Sequence, residues 1–171
     1  MKKYILFILL ITVLKAYGYE YIFNDRCINE LYSSAVSEFR QTEIIVEKDS
    51  MGIILRFFVQ NPVEEYKILS KKTVNNLEKI HLFLAKIENS AIIEVHTADS
   101  VGKSGLKSWE ISAVIAGRAE AEMRKLFGGA GYDRVSSVGY GEFFPAKNTP
   151  NKGVNYSNRI DIIVQCNISG E

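Results

Sequence analysis

His96, Thr97, Asp99 and Arg118 are the polar side chains whose order along the chain suggests chemistry. They fall in the stretch Ile92 to Arg118, IIEVHTADSVGKSGLKSWEISAVIAGR, which reads as a buried strand, a polar loop and a helix. A carboxylate at a strand end and a guanidinium on the next helix can together hold a group that carries both an amine and a carboxylate, as a zwitterionic amino acid does. This is binding chemistry before it is catalytic chemistry. The chain has no serine in a nucleophile elbow, no HExxH, no CxxC knuckle and no glycine-rich phosphate loop after a strand. No enzyme activity, cofactor or metal is therefore expected, and His96 reads as a residue that shapes the loop by hydrogen bonding. His81 stands beside the apolar stripe of another helix with no second ligand at a supporting spacing, so it reads as a core-edge histidine rather than a metal ligand.

The elements that must position these residues follow from hydrophobic spacing. Ile28, Leu31, Ala35 and Phe39 predict a short helix from about Asp25, with Asn24 or Asp25 as its cap. Glu43 to Glu47 and Gly52 to Val59 predict a hairpin that turns at Lys48-Asp49-Ser50-Met51 and ends at Pro62. Ser70 caps a helix with the stripe Val74, Leu77, Ile80, Leu84 and Ile87. Strand 92–97 should be central and buried on both faces. A second helix, capped at Ser108, carries Ile111, Ile115, Ala119, Met123 and Leu126, with Arg118 at the margin of the stripe where it could snorkel toward a pocket at the sheet end. Strands at Val135 to Tyr140 and Arg159 to Gln165 flank a long loop. The two strands on either side of the second helix should run parallel. The order implies an α+β fold, a mixed sheet with both helices on one face.

Length and composition bound the rest. The chain has 171 residues, 47% of them hydrophobic, which suits one globular domain. A net charge of +1 with no long block of like charge disfavours nucleic acid as a partner. Lys2 and Lys3, the apolar run Tyr4 to Leu14 and the small residues of Ala16-Tyr17-Gly18 read as a secretory signal over 1–18, cleaved after Gly18, with an uncleaved anchor as the alternative. No cysteine lies close enough behind the run for lipidation. Residues 19–42 then form a helical extension, 43–166 the domain and 167–171 a tail. Export allows the two cysteines, Cys27 and Cys166, to pair as a disulfide; two unpaired buried thiols are the alternative.

The ordered motifs from about Ile44 to Val164 resemble the OmpA C-terminal-like domain, the family that includes the flagellar stator protein MotB and the peptidoglycan-associated lipoprotein. Val95-His96-Thr97-Ala98-Asp99 is similar to its GHTD stretch, Ser108-Trp109-Glu110-Ile111-Ser112 to the NWELS of the MotB branch, and Arg118-Ala119 to its RA. Gly139-Tyr140-Gly141-Glu142, Pro145, Asn148-Thr149 and Asn158-Arg159-Ile160-Asp161-Ile162 follow its GYGE, P, NxT and NRRVEI. The resemblance implies a βαβαβ(β) two-layer sandwich preceded by a short N-terminal helix. It also implies non-covalent binding of a diaminopimelate-containing peptidoglycan stem peptide by Asp99 and Arg118, with Thr97 and Arg159 beside them. The compartment it implies is the periplasm, with outer-membrane association, and the role is to tether the envelope or an envelope machine to the wall.

Three departures from the pattern bear on the site. Val95 replaces the family glycine, and the extra Ala98 leaves either Ala98 or Asp99 at the aspartate position. Trp109 to Arg118 is one helical turn longer than the family interval, so anchoring on Trp109 would put Ile115 in the arginine's place. These departures support an alternative, a structural or assembly subunit of an envelope complex, such as a flagellar motor or secretion apparatus, that has lost the ligand and contacts protein subunits instead.

Overall fold

The computed structural model describes residues 25–98, 105–128, 132–144 and 158–166. A helix over 25–39, α1, precedes a hairpin of β1 (Ile45–Asp49) and β2 (Gly52–Phe58). Then come α2 (Pro62–Lys67), α3 (Lys71–Leu84), β3 (Ala91–His96), α4 (Ser108–Leu126), β4 (Val135–Gly141) and β5 (Arg159–Gln165). The strands form one five-stranded sheet in the order β1-β2-β5-β3-β4. β3 and β4 are parallel, joined through α4, and the other pairs are antiparallel. This is the mixed α+β arrangement that the order of elements implied. β3 is interior, but β5 is the middle strand of the five, because the last strand inserts between β2 and β3.

Alternation along each strand divides the sheet into two faces. Ile53, Leu55 and Phe57 of β2, Ala91, Ile93 and Val95 of β3, and Ile160, Ile162 and Val164 of β5 are buried in one core with Leu77, Ile80, Phe83 and Leu84 of α3 and Ile111, Ile115, Ala119 and Met123 of α4. Both long helices therefore lie on one face. Helix α1 joins the same core through Ile28, Leu31, Ala35 and Phe39, and the Phe39 ring meets Phe83 edge-on at 5.4 Å. Cys27 of α1 is bonded to Cys166 just beyond β5, with Cα atoms 6.0 Å apart. Cys166 continues the inward parity of Ile160, Ile162 and Val164, which is why the end of β5 meets the helix layer.

Several local features differ from the sequence reading. The hairpin turns at Ser50-Met51 alone, since Asp49 already pairs with Gly52, and the Asp49 side chain accepts from the Met51 N–H at 3.1 Å. Pro62 opens the extra helix α2 rather than simply ending the hairpin: Asn61 accepts from the Glu64 N–H, and proline at the first turn lacks only a donor that would be unpaired there. Ser70 caps α3 as expected, accepting from the Thr73 N–H at 3.2 Å. The cap of α4 is Lys107, not Ser108; the Glu110 carboxylate reaches back to the Lys107 N–H at 2.7 Å. Among the described residues no helix is long and apolar enough to cross a membrane.

Candidate functional site

The end of the sheet where β3, β4 and α4 meet is pinned by short hydrogen bonds. Thr97 donates its N–H to the Gly141 carbonyl at 3.0 Å and its hydroxyl to the Ser108 carbonyl at 2.8 Å. The Ala98 N–H is held by the Asn158 side chain at 2.8 Å, which ties the exit of β3 to the entry of β5. Ser112 accepts from the Gly141 N–H at 2.9 Å. β4 can lie this close to α4 only because of its glycines: a Cβ on Gly139 would sit 2.2 Å from the Ala113 nitrogen, and Gly141, at φ +56°, leaves no room beside Trp109. These pins fix both ends of the loop that carries Asp99, which itself lies outside the described residues, as do Pro145, Asn148 and Thr149.

The remaining site candidates fall in different places. Thr97 is buried and spends its hydroxyl on the loop geometry just described. Arg118 is exposed on α4, about 15 Å along the helix axis from Ser108, at 1.5 Å rise per residue. It borders a groove with Ile68, Leu69, Val74, Ala121, Glu122 and Lys125, on the side of α4 toward α2. Ile115, the position reached by anchoring on Trp109, is fully buried in the core. Arg159 is only 5% exposed and lies at the start of β5 on the sheet face away from the helices.

That second face carries a charged network. Arg56 donates from Nε and Nη2 to the two Asp161 oxygens at 2.7 and 2.9 Å, and from Nη1 to Glu47 at 2.9 Å. Arg159 donates from Nε to Asp161 at 2.9 Å and from Nη2 to the Phe144 carbonyl at 3.0 Å. Burial works to lower the Arg56 pKa, but the hydrogen bonds and charges of Asp161 and Glu47 outweigh it and raise the value. The register explains the grouping: Arg56 and Glu94 both lie opposite Asp161, and His96 lies opposite Arg159. Among the described residues neither ring nitrogen of His96 has a hydrogen-bond partner, so the reading of it as a residue that shapes the loop by hydrogen bonding finds no support there. Its ring stacks on Tyr140, with centroids 5.4 Å apart, and Nε2 stands 3.5 Å from Glu94 and 3.8 Å from Asp161, beyond hydrogen-bond reach. Burial, and then the Glu94 charge, raise the Tyr140 pKa. A cavity of about 640 Å³ opens over these groups, bounded on one side by Phe143 and Phe144. Arg56, Glu94 and Asp161 were missed as site residues, although all three fall at outward positions of alternating strands. Their convergence depends on which strands are neighbours, and spacing along the chain does not reveal that.

His81 sits at the core edge, as read, with its ring edge-on to Phe127 at 4.3 Å. Among the described residues there is no group of three or more histidine, cysteine, aspartate or glutamate side chains placed to hold a metal ion.

The architecture is that of an OmpA-like domain. Among solved structures, a MotB-like protein of Desulfovibrio vulgaris matches with a TM-score of 0.63 at 20% identity, over 83% of this chain and 94% of that one. The cell wall anchor of the type VI secretion system from Pseudomonas aeruginosa matches with a TM-score of 0.60 at 16% identity, over 79% of this chain and 96% of that one. The OmpA-like domain of FopA1 from Francisella tularensis matches with a TM-score of 0.51 at 14% identity, over 74% and 83%. At these identities the likeness establishes the fold. No family model matches the sequence, and no curated protein does.

Proposed function

We propose that the chain is an exported, non-enzymatic module that binds peptidoglycan and tethers the envelope, or a machine within it, to the cell wall from the periplasm. The observation that carries this reading is the fold shared with a cell wall anchor and a MotB-like protein. In this reading a cleaved leader over 1–18 delivers the chain, and Asp99 and Arg118 hold the diaminopimelate residue of the stem peptide. The carboxylate faces the ligand's ammonium and the guanidinium its carboxylate. Thr97 and Asn158 hold the exit of β3 where the loop with Asp99 begins, and Arg159 follows Asn158 at the start of β5.

One observation favours a second reading, an assembly subunit without wall binding: Arg118 borders the groove beside α2, well down the helix from the loop, while Ile115 is buried. Sedimentation with purified sacculi separates the two. The wall-binding reading expects the wild type in the pellet, and Asp99→Ala and Arg118→Ala, each with an unchanged circular dichroism spectrum, shifted to the supernatant. A wild type that stays in the supernatant, or two variants that pellet as it does, supports the assembly reading.

A further inference from the structure

The two faces of the sheet are covered unequally. Helices α1, α3 and α4 all pack on the face that carries Ile53, Ile93 and Ile162, and among the described residues no helix lies on the other. The open face is nevertheless not uniformly polar. Ile54 pairs with Ile163 and Ile163 with Ile92, so the three stand side by side in one row across β2, β5 and β3, each half-buried. Ile54 and Ile163 line the same cleft as Phe143 and Phe144, which are 68% and 57% exposed. An apolar patch of this kind, rimmed by charged groups, marks a surface that a partner covers.

The next row on this face sets the charge of that partner. Arg56 and Glu94 both lie opposite Asp161, so two carboxylates face each other across β3 and β5. Like charges in that relation repel. Asp161 is neutralised by Arg56 and Arg159. Glu94 forms no hydrogen bond and no ion pair with a lysine or arginine among the described residues; its nearest basic group is the His96 ring at 3.5 Å. The Glu94 side chain lines the cleft and is 20% exposed, and its oxygens are not among the unpartnered atoms sealed from water. Over the whole cleft four carboxylates, Glu47, Asp49, Glu94 and Asp161, stand against the two guanidinium groups of Arg56 and Arg159. That excess of negative charge favours a basic partner.

The backbone sets the partner's form. β2, β5 and β3 are each paired on both edges, so over this patch no main-chain edge is free to add a strand, and contact is made by side chains. Residues two apart on a strand are about 6.6 Å apart, which places the acidic row directly beside the apolar one. An amphipathic helix presents that combination: an apolar stripe for the isoleucines and a lysine or arginine at the stripe's margin for Glu94. It would also supply the layer that this side of the sheet lacks. We infer that the open sheet face docks a basic amphipathic helix of a partner protein, its apolar stripe on Ile54, Ile163, Ile92 and Phe143 and a cationic side chain on Glu94. None of these five residues is assigned to the stem peptide, and the inference does not rest on wall binding.

The test is a titration of the folded chain, followed by its backbone amide resonances in NMR, with a synthetic end-capped helix of about five turns that carries leucines on one side and lysines flanking them. Saturable shifts are expected on β2, β5 and β3, with affinity falling as salt is raised. The same peptide with glutamate for every lysine, or with serine for every leucine, should bind at least tenfold more weakly. Glu94→Lys places a cation opposite Asp161 and so adds no repulsion within the sheet, and Phe143→Ser alters an exposed position. With unchanged circular dichroism spectra, the first should weaken the lysine peptide tenfold or more and the second about threefold. The inference is overturned by an absence of saturable shifts on these strands, by a glutamate or serine peptide that binds as tightly, or by a Glu94→Lys protein that binds unchanged. Shifts on the same strands that grow with the chain's own concentration, without peptide, would overturn it in favour of a second copy as the occupant.

Discussion

The two faces of the sheet are built from alternate residues of the same strands but are held by different forces. On the helix face Ile53, Leu55, Ile93, Ile160 and Ile162 are stripped of water against α3 and α4, so the stabilisation scales with apolar area and needs no particular partner. On the open face Arg56, Asp161 and Arg159 are also buried or nearly so, but each depends on one or two named partners at hydrogen-bond distance. A buried charge network tolerates the loss of a member poorly, because the desolvation of the remaining charges is no longer offset. The helix face thus resembles an ordinary core, and the open face a set of mutual obligations.

The largest expected effect comes from the covalent tie on the helix face. Replacing Cys27 and Cys166 with serine should cost about 4 to 5 kcal/mol in the chain-entropy view, an upper guide for a loop closed across 139 residues. Denaturant unfolding of the double variant against the oxidised wild type measures it. A midpoint that does not move would show that the core already fixes α1 without the bond.

Adjacent residues on β5 compare the two faces directly. Ile162→Ala should cost about 2 to 5 kcal/mol through lost packing and the cavity left behind. Asp161→Ala should cost about 3 to 5 kcal/mol because it strands two arginines. The two changes differ in how they are rescued. Replacing Arg56, Asp161 and Arg159 together by apolar residues of similar volume should recover most of the Asp161→Ala loss, as measured by urea unfolding, since no charge is then left unpaired. A triple variant no more stable than Asp161→Ala would mean that the network also supports the backbone.

How much of each face was legible follows from the same contrast. The stripes of α1, α3 and α4 and the alternation of β5 could be read from spacing, because burial needs only an apolar residue at the right period. The central position of β5 could not, since strand order depends on which edges pair. Nor could helix α2, too short to show a period, or the grouping of Arg56, Glu94 and Asp161, whose outward parity was visible but whose neighbours were not. His96 differs from its reading for a related reason: at the last position of β3, parity sends its ring onto the open sheet face, opposite Arg159. Thr97, whose hydroxyl donates to the Ser108 carbonyl at 2.8 Å, was legible only as part of a motif, and that buried hydrogen bond gives it a structural task.

The smallest expected effect lies at the edge of the helix face. Burial lowers the His81 pKa from its ordinary value of 6.5. A histidine depressed in the folded state contributes stability that is present above the unfolded value and lost as pH falls toward and through the folded one. The melting temperature should therefore decline modestly below about pH 6.5, and His81→Gln should flatten that part of the profile. A profile equally steep in the variant would move the effect to the acidic residues.

The central claim, that this fold grips the cell wall at the loop end of the sheet, is tested most directly by calorimetric titration with a soluble stem peptide containing diaminopimelate. Saturable binding is predicted for the wild type. Loss of Asp99 or Arg118 should cost about 2 to 5 kcal/mol if the ligand closes the site to water, and less than about 1 kcal/mol per pair if Arg118 stays as exposed as it is in the unliganded fold. No heat of binding from the wild type, or an affinity unchanged in both Asp99→Ala and Arg118→Ala, would contradict it.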